Sequence, residues 1–213
     1  MLNTNHIRKE FPIYKEREGL VYLDSASTTQ KPQCVIDSVS SFYSNYNANV
    51  HRALYEIGEK ATNEFESVRL KIKKFLNVPD SHEVIFTRSS TESINLVAYS
   101  WGISNLNKDN GVLVTEMERH SNLVPWQIIS ERTSSKLRYL PLEKNGTLDL
   151  SSIEMDLNET GLLAMVHQSN VFGTINPISK IVDLAKSKGA LTLIDGAQAV
   201  PHFAVDISKI DCD

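Results

Sequence analysis

ALTLIDGAQ, residues 190 to 198, is an apolar run that ends on an aspartate and turns on a glycine. Its Leu and Ile content reads as a buried strand, and the polar turn reads as that strand's exit towards a helix. In open α/β sheets, ligands bind in the crevice outside the carboxyl ends of the strands, so Asp195 becomes a candidate site residue. A lone acid in that position suits a cationic ring nitrogen better than a sugar or a metal.

Working outward, the chain has 213 residues, enough for one large domain or part of a larger protein. Hydrophobic content of 41% and charged content of 23% are ordinary for a globular protein. A net charge of −4 and a pI near 5.9 give no electrostatic reason to expect nucleic acid or an anionic membrane as partner. No apolar run reaches the length of a membrane span, and MLNTNHIRKEFPIY has neither a signal-peptide core nor an Arg/Ser-rich transit character. Cys34 and Cys212 share no metal-type or redox-type spacing. The expected compartment is a reducing cytoplasm, and no metal is expected.

Residues 1–31 read as an irregular N-terminal segment with a short helix from about Ile7 to Glu10 and an extended piece, LVYLD. From Pro32 onward, Ile36, Val39, Phe42, Tyr43 and Tyr46 fall at helical spacing. A second long helix carries Ala61, Phe65, Val68, Ile72 and Phe75 on one stripe, with Pro79 and Asp80 as its stop. The period then changes. EVIFT (83–87), GVLVTE (111–116), KLRYLPL (136–142), GLLAMVH (161–167) and ALTLID (190–195) read as short strands. Helical patterns lie between most of them: Ile94 to Trp101, Leu123 to Glu131, and Ile178 to Ala185, the last with Pro177 before it and Gly189 after it. The fold class is therefore α/β: three layers, a mainly parallel sheet with helices on both faces, formed by residues 32–213. The closing DISKIDCD reads as the approach to another strand, so that the chain stops inside the architecture it has begun.

The strand exits carry the polar side chains. After EVIFT come Arg88, Ser89, Ser90, Thr91 and Glu92 at a helix start. Hydroxyls and free N–H groups there make a phosphate seat, or a plain N-cap on Ser90 or Thr91. Arg119 and His120 follow GVLVTEME, where they face either the crevice or solvent. His167, Gln168, Ser169 and Asn170 make an unusually polar exit from a buried strand. Four such exits converge on one sheet edge, the default place for a cofactor. No G-x-G-x-x-G or G-x-x-x-x-G-K-[ST] is present, which removes dinucleotide and P-loop readings. A phosphate seat plus a strand-end carboxylate is what pyridoxal 5'-phosphate needs, the acid keeping the pyridine nitrogen protonated.

At this point the sequence resembles the pyridoxal-phosphate-dependent cysteine desulfurases of the aminotransferase class V group, in their SufS-like branch. The motifs are LDSAST with QKP (23–32), NVHR (49–52), Thr91-Glu92-x-Ile94-Asn95, HSNLVPWQ (120–127), HQSNVFGTINP (167–177), DGAQAVPH (195–202) and the closing DCD. The resemblance implies the large domain of the fold type I transferases, in its N-terminal half only. It implies that Ser90 and Thr91 bind the cofactor phosphate, Asn170 lies near the ring hydroxyl, Asp195 pairs with the ring nitrogen and Gln198 also touches the cofactor. It places His51 and Arg52 in an active-site loop near substrate or a dimer partner. The implied reaction removes sulfur from L-cysteine to give L-alanine and an enzyme persulfide, in a homodimer that passes sulfur to an acceptor protein for iron–sulfur cluster assembly.

Two departures stand out. The family carries a histidine directly after the glutamate of the GVLVTEME exit, stacked on the cofactor and used in proton transfer; here that slot is Arg119, with His120 next. A guanidinium stays protonated and cannot serve as a base near neutral pH. If the backbone is extended there, His120 points the other way. The family's Schiff-base lysine and persulfide cysteine would fall beyond Asp213, so the resemblance implies a partial chain that does not desulfurate by itself. A selenocysteine lyase or another class V lyase would share the same geometry. A non-catalytic partner of a full-length desulfurase is the alternative of another class.

Overall fold

The computed structural model describes residues 3–213. The chain divides into two compact units after Ile72.

The first unit is helical. Helix α1 (Thr4–Lys9) starts ahead of the expected Ile7 because the Asn3 side chain caps it, accepting the His6 N–H at 3.1 Å. Helix α2 (Ile13–Glu16) is a single turn. Helix α3 (Gln33–Ser41) follows Pro32 and loosens into a π-helical segment at Phe42–Tyr46, where the Phe42 ring meets Tyr43 and Tyr46 edge-on at 5.3 Å. Cys34 is exposed. Helix α4 (Glu56–Phe75) buries Gly58 and Ala61, and a Cβ on Gly58 would come within 2.1 Å of the Ala53 methyl. The stripe expected to face a core is open at Phe65, Val68 and Phe75. The helix ends ahead of Pro79: Asn77 takes the left-handed conformation and the Val78 N–H closes on the Lys73 carbonyl at 2.9 Å.

The second unit is built on four strands: β1 (Gly111–Thr115), β2 (Leu137–Leu140), β3 (Thr160–Val166) and β4 (Leu191–Asp195). They lie in the order β2-β1-β3-β4 and every pair is parallel. Strand alternation then feeds two cores. Val112, Val114, Leu162 and Ala164 face α5 (Ser90–Val97) and α7 (Val124–Thr133), with Trp126 and Ile129 fully buried between. Leu113, Leu163 and Met165 face α8 (Ile153–Leu157) and α9 (Ile178–Ser187), whose Ile181, Val182 and Ala185 complete the packing. Helices on both faces explain why β1 and β3 are buried almost throughout rather than alternating with solvent. Helix α5 runs on through a π-helical segment (Ala98–Gly102) into α6 (Ile103–Asn105).

One expected strand is absent from this sheet. EVIFT is an irregular segment with Ile85 and Phe86 exposed; its apolar, β-branched residues had suggested a strand, but it joins none of the four. β-propensity reports fit to a half-buried pleated surface rather than a preference of the backbone itself, so strand composition does not by itself make a strand. DISKI forms a helical turn, α10 (Ile207–Ile210), because the Asp206 carboxylate caps it by accepting the Lys209 N–H at 3.3 Å. Asp213 then reaches β4, taking the Thr192 N–H at 3.0 Å and its hydroxyl at 2.9 Å.

Of the two glycines in the sheet, Gly111 is the tighter: a Cβ there would lie 2.1 Å from the Lys136 carbonyl oxygen. Gly111→Ala is expected to cost about 1–3 kcal/mol by forcing β1 and β2 apart. Urea unfolding of the full-length protein measures this, and an unmoved midpoint would show that the strands yield without cost.

Candidate functional site

From β1 the sheet grows to one side through β2 and to the other through β3, so the order reverses between β1 and β3. The crevice at the carboxyl ends of those strands is where such sheets bind ligands. Three exits open there: 116–122 after β1, 167–170 after β3 and 195–198 after β4. The fourth polar group arrives on the start of α5 rather than from a strand.

The cap of α5 is neither Ser90 nor Thr91. It is Ser89, whose hydroxyl accepts the Glu92 N–H at 3.3 Å, while the Glu92 carboxylate reaches back to the Arg88 N–H. This reciprocal box satisfies the helix start from outside. Ser90 and Thr91 thus occupy the first turn, and neither hydroxyl is bonded among the described residues. Two hydroxyls beside the positive end of an eight-residue helix form a seat for an anion.

Two cavities flank this helix start. One, of about 280 Å³, is lined by Ser90, Ser93, Asp195 and Gly196 among others. The other, of about 430 Å³, is lined by Thr91, Glu118, Arg119, His120, Ser121 and Asn170 together with neighbouring apolar groups. Gln198 is buried in the turn after β4 and does not line either of them.

Asp195 ends β4, in register with Val166 of β3, and is 5% exposed. Its Oδ1 accepts the Ala197 N–H at 3.0 Å, whereas its Oδ2 is buried with no hydrogen-bond partner among the described residues. A buried acceptor left unpaired costs about 1–3 kcal/mol, so natural proteins rarely keep one without a use. That oxygen fits a ligand which brings its own N–H donor.

Arg119 and His120 both line the larger cavity. The expectation that adjacent positions diverge fails because the backbone is extended only at Arg119 and enters a 3-10 turn at His120–Asn122. Turning the chain by a third of a circle per residue brings neighbours to one side.

Sequence reasoning missed Glu118. Its Oε1 accepts the Thr115 hydroxyl at 2.6 Å and the Val166 N–H at 2.8 Å, and its Oε2 accepts the Asn122 amide at 2.6 Å. Asn122 in turn accepts the indole N–H of Trp126 at 3.0 Å. Burial outweighs these donors and, with the Asp195 charge adding to it, raises the Glu118 carboxyl to about 7. The available signal was an acid inside a strand exit, which Glu116 in the same exit shares. His167, whose ring meets Phe203 edge-on at 5.2 Å, has its pKa lowered by burial.

His51 and Arg52 belong to the first unit. His51 is left-handed with φ 73°; its N–H bonds the Thr62 hydroxyl at 3.0 Å and its ring lies 3.4 Å from Glu66. Arg52 is exposed in the same turn.

Residues 21–213 match the family model for aminotransferase class V. A probable cysteine desulfurase of Halalkalibacterium halodurans is 43% identical across 100% of this chain and 53% of its own length. A cysteine desulfurase of Salmonella dublin is 46% identical across 97% of this chain and 52% of its own. The chain spans about half the length of the curated relatives it matches. Among solved structures, the apo cysteine desulfurase of Thermococcus onnurineus superposes with a TM-score of 0.90 at 31% identity. The Escherichia coli cysteine desulfurase CsdA in its S-sulfonic acid form does so at 0.88 and 33%; both comparisons cover 100% of this chain and about half of the other.

The raised Glu118 carboxyl has a consequence for stability. Its ordinary value is 4.5, so between there and about 7 the folded protein holds a proton that the unfolded chain has released. The stabilisation is complete below the lower value and is lost as pH rises through the upper one. Glu118→Gln is expected to remove this fall. Urea midpoints of wild type and variant at about pH 5 and about pH 8 measure it, and equal falls would place the titration elsewhere.

Proposed function

Because this chain belongs to the aminotransferase class V family and matches cysteine desulfurases along its length, we propose that it is the N-terminal half of a SufS-like cysteine desulfurase. The full-length protein would release sulfur from L-cysteine, leaving L-alanine and an enzyme persulfide, and pass the sulfur to an acceptor for iron–sulfur cluster assembly. It would act as a homodimer in the cytoplasm, with residues 32–213 contributing to the cofactor domain. The observation that carries this reading is the unpaired Oδ2 of buried Asp195, in a cavity that the start of α5 also lines.

Pyridoxal 5'-phosphate, when bound, supplies an electron sink for bonds broken at the substrate α and β carbons. The residues present fit it. Asp195 offers a charged acceptor to a ring N–H, and Ser90 and Thr91 offer hydroxyls and helix N–H groups to a phosphate. Asn170 would face the ring hydroxyl and Gln198 would support the same group. His51 and Arg52 would serve substrate binding. Arg119 contributes a fixed positive charge, since a guanidinium does not titrate in proteins. Proton transfer therefore falls to His120, which lines the same cavity and belongs to the residue type able to exchange a proton near neutral pH.

Two outcomes are expected in the full-length protein. Asp195→Asn should weaken the visible absorption of bound pyridoxal phosphate and lower alanine release from L-cysteine by about a hundredfold or more. Activity unchanged by this substitution would remove the cofactor reading. His120→Ala should lower kcat by about a hundredfold and erase one limb of the pH–rate profile, with Arg119→His restoring it. A profile that keeps both limbs would assign the proton to another group.

A further inference from the structure

We propose that Glu118 is a positioning residue: its carboxylate, bonded to the ends of β1 and β3 and to Asn122, holds Arg119 and His120 in the cavity that Thr91 and Asn170 complete. The proposal rests on the reading of that cavity as part of a cofactor site.

Strand β1 leaves the sheet after Thr115, whereas β3 continues to Val166, past the last registered pair Val114–Ala164. The Val166 N–H points to where β1 would have continued. Glu118 Oε1 takes the place of the missing ladder carbonyl at 2.8 Å and receives the Thr115 hydroxyl at 2.6 Å through the same atom. The carboxylate therefore extends the β1–β3 pairing at the point where the strand order reverses.

The other oxygen anchors the far end of the same loop. Oε2 accepts from Asn122, which is fully buried and whose own oxygen is committed to Trp126. Arg119 and His120 lie between these two anchors, and the Asn122 N–H closes the turn on the Arg119 carbonyl at 2.8 Å. The loop has a second support in Asn176, whose amide donates to the Val166 carbonyl at 2.8 Å and to the Met117 sulfur at 3.4 Å.

Three donors converge on Glu118, and its ionised carboxylate accepts from all of them. A glutamine would set its NH₂ against the Asn122 NH₂. Asn122 cannot turn over without surrendering the indole bond of Trp126. Asp195 on the β4 exit is the charge that acts on Glu118, and Arg119 and His120 of its own loop line the same cavity. No ion pair involves Glu118 among the described residues, so hydrogen bonds fix its position.

Glu116 provides a comparator in the same loop. Its Oε2 accepts the Leu142 N–H at 3.1 Å, tying the loop towards β2, and it does not line the cavity. The experiment compares Glu118→Gln, Glu118→Ala and Glu116→Ala in the full-length protein reconstituted with pyridoxal phosphate. Both Glu118 variants should shift the visible band of the bound cofactor and lower kcat, approaching a hundredfold for Glu118→Ala, with KM little changed. Glu116→Ala should leave band and kcat near wild type. If Glu118→Ala does not fold, Glu118→Gln is read by itself. Wild-type spectra and kcat in folded Glu118 variants would overturn the proposal, as would an equal effect from Glu116→Ala. A wild-type protein that develops no visible band with the cofactor would sink the cofactor reading and this proposal with it.

Discussion

The parallel pairing of β1 with β3 is the constraint on which the rest depends. Parallel neighbours cannot be joined by a tight turn, so each connection must cross back over a face of the sheet. Those crossings supply the helices that bury both faces, and they send successive strand exits to the same edge. The exits that carry Glu118, His167 and Asp195 lie at one edge because β1, β3 and β4 run in the same direction. The reversal of strand order beside β1 then leaves an opening in that edge, with no crossover helix to close it.

Two carboxylates sit at the opening with opposite states of satisfaction. Glu118 is surrounded by donors and spends them on the loop that carries Arg119 and His120. Asp195 keeps one oxygen buried and unbonded. Burial raises the Glu118 carboxyl, and the nearby Asp195 charge adds to the rise. A positive ligand group beside Asp195 would relieve both the unmatched acceptor and the mutual repulsion. The first unit is organised differently: apart from Gly58 and Ala61 its described residues are at least partly accessible, and Leu54 is 97% exposed.

Several features were legible because a local rule governed them. Pro177 and Gly189 marked the two ends of α9, and the apolar runs of β1, β3 and β4 announced a doubly covered sheet. Others were decided by short-range competition that residue types do not reveal. Ser89, Ser90 and Thr91 are all competent caps; Ser89 won because Glu92 stands three residues after it and completes a reciprocal box. Asp206 likewise set the start of α10, in a run whose residue types did not announce a helix. EVIFT has strand composition and no place in the four-stranded sheet.

By itself the sequence determined the parallel α/β architecture, the residues at its strand exits and the family, because hydrophobic period, chain direction and motif order are properties of one dimension. The tertiary structure decided which of those exits share a cavity, that Arg119 and His120 line the same one, and that Glu118 is the group joining β1 to β3. Those outcomes depend on distances between residues far apart in sequence: Glu118 and Val166 are 48 positions apart, and Thr91 and Asn170, which line one cavity, are 79 apart. Hydrogen bonding is short-ranged and directional, so a group's partners are fixed only when folding brings the strand ends together.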